Sequence, residues 1–146
     1  MKILLLTFII FFNLISSPNS HAKWIKVLEL EDEISFYIDF EKIKKVDGFI
    51  YWWDLTNYLK PTHYGHSSVK LYRQGDCKKF RYKFLRFYFY QDQMGTGVGK
   101  VENPEEKGWQ YPHPNSAQSV ILKSVCNFDD EKYFFVSITF YIRVVF

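Results

Sequence analysis

Alternation of apolar and polar residues dominates the chain. Lys23 to Leu30 places Trp24, Lys26, Leu28 and Leu30 on one side and Ile25 and Val27 on the other, which predicts a first strand. Ile34–Asp39 predicts a second, reached through the polar turn Glu31-Asp32-Glu33. Ile43 and Val46 anchor a short third piece, and Asp47-Gly48 is a strong hairpin signal. Phe49 to Leu59 is the clearest strand of the first half. Phe49, Tyr51, Trp53 and Leu55 share one face, and Ile50, Trp52, Asp54 and Thr56 share the other.

After a turn at Lys60 to Gly65, Ser67 to Gln74 and Cys77 to Tyr90 read as two long strands around a Gly75-Asp76 turn. In the second, Phe80, Tyr82, Phe84, Tyr88 and Tyr90 line one face, interrupted by Arg86. Lys79, Arg81 and Lys83 begin the other face, which Leu85, Phe87 and Phe89 continue. Gln91 to Pro114 reads as a loop punctuated by Gly and Pro. Helix signals follow: Asn115 as cap, Gln118 answering from the third helical position, and Ala117, Val120, Ile121 and Val125 at helical spacing. These elements predict an α+β domain, mainly antiparallel sheet, with one C-terminal helix laid on it.

The first 22 residues stand apart. A basic start at Lys2, an apolar run from Ile3 to Ile15 and a small, polar stretch ending in Ala22 have the layout of a secretory signal peptide cut before Lys23. The run is short of the roughly 20 residues that a membrane-spanning helix needs, so the chain is expected to be exported to the periplasm or cell surface. The remaining chain is one ordinary domain. Its formal charge, +3 with Lys2 counted, does not call for nucleic acid. Cys77 and Cys126 are the two cysteines. In an oxidising compartment such an isolated pair is expected to form one disulfide.

Candidate chemistry is sparse. His63-x-x-His66 has two imidazoles in a loop, but a metal centre needs three or four ligands and no third is identifiable nearby. Gly95-x-Gly97-x-Gly99 before Lys100 lacks the spacing of a phosphate loop, and no helix follows it. Ser67 and Ser68 beside His66 make no nucleophile elbow. No catalytic residues, metal or cofactor are therefore assigned. The densest feature is basic and aromatic: Lys78, Lys79, Arg81, Lys83 and Arg86 interleaved with Phe80, Tyr82 and Phe84, which Lys70 and Arg73 could join. Such a surface could take sulfated glycans, acidic protein segments or anionic headgroups. The alternative is simply the solvated face of a sheet. Tyr51, Trp52 and Trp53 could form a platform for sugar rings or belong to the core. Asp54, among aromatics, is expected to be the buried partner of a strand arginine such as Arg81.

Taken in order, Trp24, Tyr37-Ile38-Asp39, Trp52-Trp53-Asp54, Ser68-Val69-Lys70 and Asp76-Cys77 form one series. It continues through Arg81, Tyr90, Met94-Gly95-Thr96-Gly97, Trp109 and Leu122-Lys123-Ser124-Val125-Cys126. The chain from Trp24 to Cys126 thereby resembles the surface-adhesin protein E family of Gram-negative envelopes. The resemblance implies a single antiparallel sheet with a helix tied to it by Cys77–Cys126. It also implies exposure at the bacterial surface and non-catalytic binding of host or extracellular-matrix glycoproteins. A periplasmic accessory or inhibitor protein, binding an envelope enzyme or cell-wall component, is the second reading. The family usually ends soon after the second cysteine, whereas this chain continues from Asn127 to Phe146. Phe134 to Phe146 is apolar at every even position, the period of a strand. A strand ending in Phe also looks like the last strand of an outer-membrane barrel. One strand is not a barrel, however, and the others carry charge on both faces. Paired to a sheet edge or to a second protomer it would be shielded, so the extension favours a homodimer.

Overall fold

The computed structural model describes residues 22–31, 33–105 and 108–129. The expected leader, residues 1–22, lies outside the described residues except for Ala22, and so does the apolar strand expected near the C-terminus. Seven strands form one antiparallel sheet in the order β1–β2–β4–β5–β6–β7, with β3 paired to β4. The strands are β1 (Trp24–Leu30), β2 (Ile34–Asp39), β3 (Lys44–Val46), β4 (Phe49–Tyr58), β5 (Ser68–Asp76), β6 (Arg81–Tyr90) and β7 (Gly99–Glu102). Helix α1 (Ala117–Cys126) covers one face. The hairpin at Asp47-Gly48 is as expected: both residues have positive φ, 51° and 79°, as a two-residue turn matched to strand twist requires.

Three details differ from the sequence reading. The turn between β5 and β6 lies at Cys77–Phe80, not at Gly75-Asp76. Gly75 is a strand residue under the helix, where a Cβ would sit 2.9 Å from Trp52, 3.0 Å from Ile50 and 3.1 Å from Leu122. It is glycine because the layers meet there, not because the chain turns. The cap of α1 is Ser116, whose hydroxyl accepts from Ser119 N–H at 3.2 Å, while Asn115 takes a left-handed φ of 61° before it. Finally, Gly99–Glu102, read as loop, is an edge strand on β6.

The helix buries Ile121, Leu122 and Val125 completely against Phe36, Ile38, Ile50, Trp52 and Tyr82. Each such side chain contributes about 1.5–3 kcal/mol on leaving water. The Cys77–Cys126 disulfide ties the β5–β6 turn to the end of the helix across a separation of 49 residues, worth about 4 kcal/mol in the chain-entropy account.

Within this core lies an ion pair. Arg73 and Asp54 are 1% and 0% exposed, with Nε 2.7 Å from Oδ2 and an Nη donating to Oδ1 at 2.8 Å. Trp52 donates its indole N–H to the same carboxylate at 2.9 Å, and Gln118 of α1 accepts from Arg73. The guanidinium lies over the rings of Tyr82 and Phe84. Asp54 is thus the buried partner of a strand arginine, but of Arg73 across β4–β5 and not of Arg81. Removing one partner strands a charge, so Arg73→Met is expected to destabilise by about 3–5 kcal/mol. Asp54→Leu combined with Arg73→Met should recover most of that. Thermal melts of the three proteins check this, and a single variant melting like the parent would show the pair to be dispensable.

Candidate functional site

The face of the sheet away from α1 is assembled by register. Opposite residues in neighbouring strands point the same way. Phe49, Tyr51, Trp53 and Leu55 of β4 therefore stand with Gln74, Tyr72 and Lys70 of β5 and with Arg81, Lys83, Arg86, Tyr88 and Tyr90 of β6. Strict alternation would send Arg86 to the opposite face from Arg81 and Lys83. A β-bulge prevents this: Arg73 pairs with Phe84 but Tyr72 pairs with Arg86, leaving Leu85 as the extra residue. The bulge reverses the parity of β6. Arg86, Tyr88 and Tyr90 join the basic residues, and Phe87 and Phe89 move to the side of Tyr82 and Phe84. The interruption of the apolar face expected at Arg86 is thereby removed.

Of the five basic residues singled out, Lys78 and Lys79 project from the exposed turn, and Arg81 and Lys83 converge on one ring. The Arg81 guanidinium lies 4.4 Å and the Lys83 ammonium 5.1 Å from the centroid of Trp109, which stacks on Phe49 at 5.5 Å. Phe80 does not belong to a strand face; it has a φ of 47° in the turn and is 38% exposed. Arg86 is exposed further along β6, beside the Tyr88 hydroxyl. Asp76 organises this end. It accepts the Lys79 backbone N–H at 3.1 Å and Arg81 Nε at 3.0 Å, closing the turn and fixing the guanidinium. Burial pushes its carboxyl up, but those two donors and the positive charges of Arg81 and Lys79 outweigh this and hold it below its ordinary 3.8. A carboxyl depressed in the folded state adds stability above its unfolded value and loses it as pH falls through the folded one. The gap in urea midpoint between the parent and Asp76→Asn is therefore expected at neutral pH and should close in acid, as the pH falls through the lowered folded-state value of the carboxyl. A gap that persists in acid would show that the carboxylate charge is not what holds the turn.

From the basic end an aromatic row runs across the face. Tyr72 stacks on Trp53 at 4.8 Å, and Trp53 meets Tyr88 at 5.6 Å. Of the suggested platform, Trp53 and Tyr51 are on this face and half-buried, while Trp52 is wholly buried under the helix. The far end is covered by the Met94–Gly97 segment. Met94 N–H donates to Asn57 Oδ1 at 2.6 Å and Gly95 N–H to the Ser68 hydroxyl at 2.8 Å, while the Gly95 carbonyl accepts from Lys70 Nζ at 2.9 Å. This glycine-rich segment is thus a clamp on β4 and β5, and an edge strand follows it. The two loop histidines go separate ways. His63 lines a shallow cleft with Glu33 and Tyr58, and His66 packs on Phe89. Among the described residues no group of three or more His, Cys, Asp or Glu is placed to hold a metal. Nor is any described helix long and apolar enough to cross a membrane.

A disulfide-stapled sheet, closed on one face by a helix and polar-aromatic on the other, defines the chain as a small α+β sheet-and-helix module. It belongs to the surface-adhesin protein E family, whose profile matches residues 24–127. Among solved structures it is similar to Haemophilus influenzae protein E. Crystal form II of that protein shares 18% identity at a TM-score of 0.55, covering 75% of this chain and 93% of that one. The selenomethionine form gives 18% and 0.56, covering 77% and 92%. At that identity the likeness is one of fold. No curated protein matches the sequence.

Proposed function

We propose that this protein is a non-catalytic, exported adhesin module whose basic end binds host or extracellular-matrix glycoproteins. The observation that carries this reading is the gathering of Arg81, Lys83 and Arg86 on one accessible face, next to the exposed turn lysines, with Arg81 and Lys83 on the ring of Trp109. Family membership supports a surface role. Acidic or sulfated groups on a partner would meet Lys78, Lys79 and Lys83 first, with Arg81 already oriented by Asp76. Lysines 78 and 79 are exposed, so each contact is worth a fraction of a kilocalorie and the effect is collective and sensitive to salt. In this reading residues 1–22 are removed on export, 23–126 form the binding domain, and 127–146 add a strand that could pair two protomers.

Joint charge reversal of Lys78, Lys79 and Lys83 to Glu is expected to lower adhesion to matrix-coated surfaces about tenfold, since three rim charges sum to little more than 1 kcal/mol. The circular dichroism and the disulfide should be unchanged. Antibody against the domain should label intact cells. Undiminished adhesion would overturn the assignment of the basic end. Labelling confined to permeabilised cells would overturn the surface role and turn the search to partners within the envelope.

A further inference from the structure

At the other end of the same face, the register places Trp24 opposite Asp39 and Lys70 opposite Tyr88. These residues surround a cavity of about 250 Å³, walled by the rings of Trp24, Trp53, Tyr88 and Tyr90, with Ala22, the last residue of the expected leader, at its edge, so that loss of the leader opens the cavity further. That is slightly below the usual range of small-molecule sites and suits an occupant of one ring. Asp39 lines it and is 1% exposed, yet neither of its carboxylate oxygens has a hydrogen bond of good geometry among the described residues, the Lys42 ammonium and the Glu41 backbone N–H being only loosely placed on it. Its nearest cation is Lys42, 3.6 Å away. Burial pushes this carboxyl above its ordinary value, and Lys42, with the Glu41 backbone N–H, acts against that shift. A desolvated carboxylate without well-placed donors is unfavourable, so a fold that keeps one facing a cavity leaves an acceptor ready for donors brought from outside. Lys42 and Lys70 supply the opposite function. Lys70 sits 4.7 Å from the Tyr90 ring centroid and 5.9 Å from that of Trp24, with one bond to Gly95 and further hydrogens to give.

We propose that this cavity is a binding site for one neutral pyranose ring of a glycan. Two ammonium groups against one carboxylate disfavour a cationic occupant, and the buried carboxylate disfavours an anionic one. A neutral ring with hydroxyl groups satisfies both: its hydroxyls donate to Asp39 and accept from Lys42 and Lys70, while its C–H face lies on the flat aromatic walls. The site is separate from the basic end and does not depend on the adhesin reading. A sugar of the cell's own envelope would fit as well as one on a host protein.

The test uses the exported protein purified with its natural N-terminus. Methyl glycosides of glucose, galactose, mannose, N-acetylglucosamine and N-acetylgalactosamine are titrated by saturation-transfer NMR and by tryptophan fluorescence, to which Trp24 and Trp53 contribute. At least one glycoside is expected to bind saturably with a millimolar dissociation constant. Asp39→Asn should weaken it more than tenfold without lowering Tm, because the change removes a buried charge. Tyr88→Leu, which keeps apolar bulk but loses the flat ring, should weaken it too and serves if the first variant misfolds. Lys78→Glu with Lys79→Glu should leave sugar binding intact. No saturable response to any glycoside, or equal affinity in Asp39→Asn, would overturn the proposal. So would saturable binding of tetramethylammonium in place of the sugars, which would make the cavity a cation cage.

Discussion

The buried Asp54–Arg73 pair constrains the rest of the molecule. It spans the two central strands, and among the described residues its carboxylate and guanidinium meet each other, Trp52, Gln118 and the rings of Tyr82 and Phe84. A pair of this kind adds little stability compared with an apolar replacement, but it tolerates few arrangements. If β4 and β5 slipped by one residue, the two charges would point to opposite faces of the sheet and each would lose its partner. If α1 rotated, Gln118 would leave the guanidinium. The pair therefore selects one register and one helix orientation, and Gly75 makes room for that orientation where Leu122 meets Trp52.

With one face committed to the helix, the other carries everything polar and aromatic that the strands present outward. The bulge at Leu85 shapes it. Without that extra residue, the second half of β6 would send Phe87 and Phe89 outward and bury Arg86, Tyr88 and Tyr90. With it, the apolar rings stay on the side of Tyr82 and Phe84. The outer face then gains a continuous line from Trp109 through Lys83 and Tyr72 to Tyr88 and Tyr90. One irregularity in pairing thus does the work of several substitutions.

This explains what could be read from the chain and what could not. Strands β2 and β4 and the Asp47-Gly48 hairpin follow from local alternation and turn chemistry, and the sequence shows them nearly residue for residue. Gly75-Asp76 looks like a turn because the role of Gly75, packing under Leu122, is set by a residue distant in the chain, while Asp76 closes the true turn just after it by bonding Lys79 and Arg81. The bulge shows in the periodicity only as the interruption at Arg86, which local pattern cannot tell from a charge tolerated on an apolar face, since Leu85 resembles its neighbours. Strand β7 has a single apolar residue, Val101, and exists because β6 offers it an edge. Asp54 was legible as a buried partner, but the choice between Arg73 and Arg81 is made by register alone. The five basic residues were visible as a segment, and their common face was not. The Asp39 cavity draws on β1, β2, β4, β5 and β6, so no window of sequence contains it, although Trp24, Asp39, Trp53, Lys70 and Tyr90 each stand among the residues that carry the family resemblance.

The two ends of the outer face differ in how much freedom they retain, and this bears on what each can bind. Lys78 and Lys79 are exposed on a turn and must lose rotamer entropy on meeting a partner, which favours broad, charge-driven attachment. Arg81 beside them is already fixed by Asp76 and Trp109, giving that attachment one oriented point. At the opposite end the order is built in: Lys70 is pinned by Gly95, the Met94–Gly97 segment is held by Asn57 and Ser68, and Asp39 is out of water. There the entropic and desolvation costs are met during folding and not on binding, which is what preorganisation means for a small ligand. An exposed basic patch suits extended, variable partners, whereas a preordered, polar-aromatic cavity suits one small group presented repeatedly. With both on one face, a module of the proposed kind would grip a large polymer by charge while a ring of that polymer, or of a neighbouring one, filled the cavity.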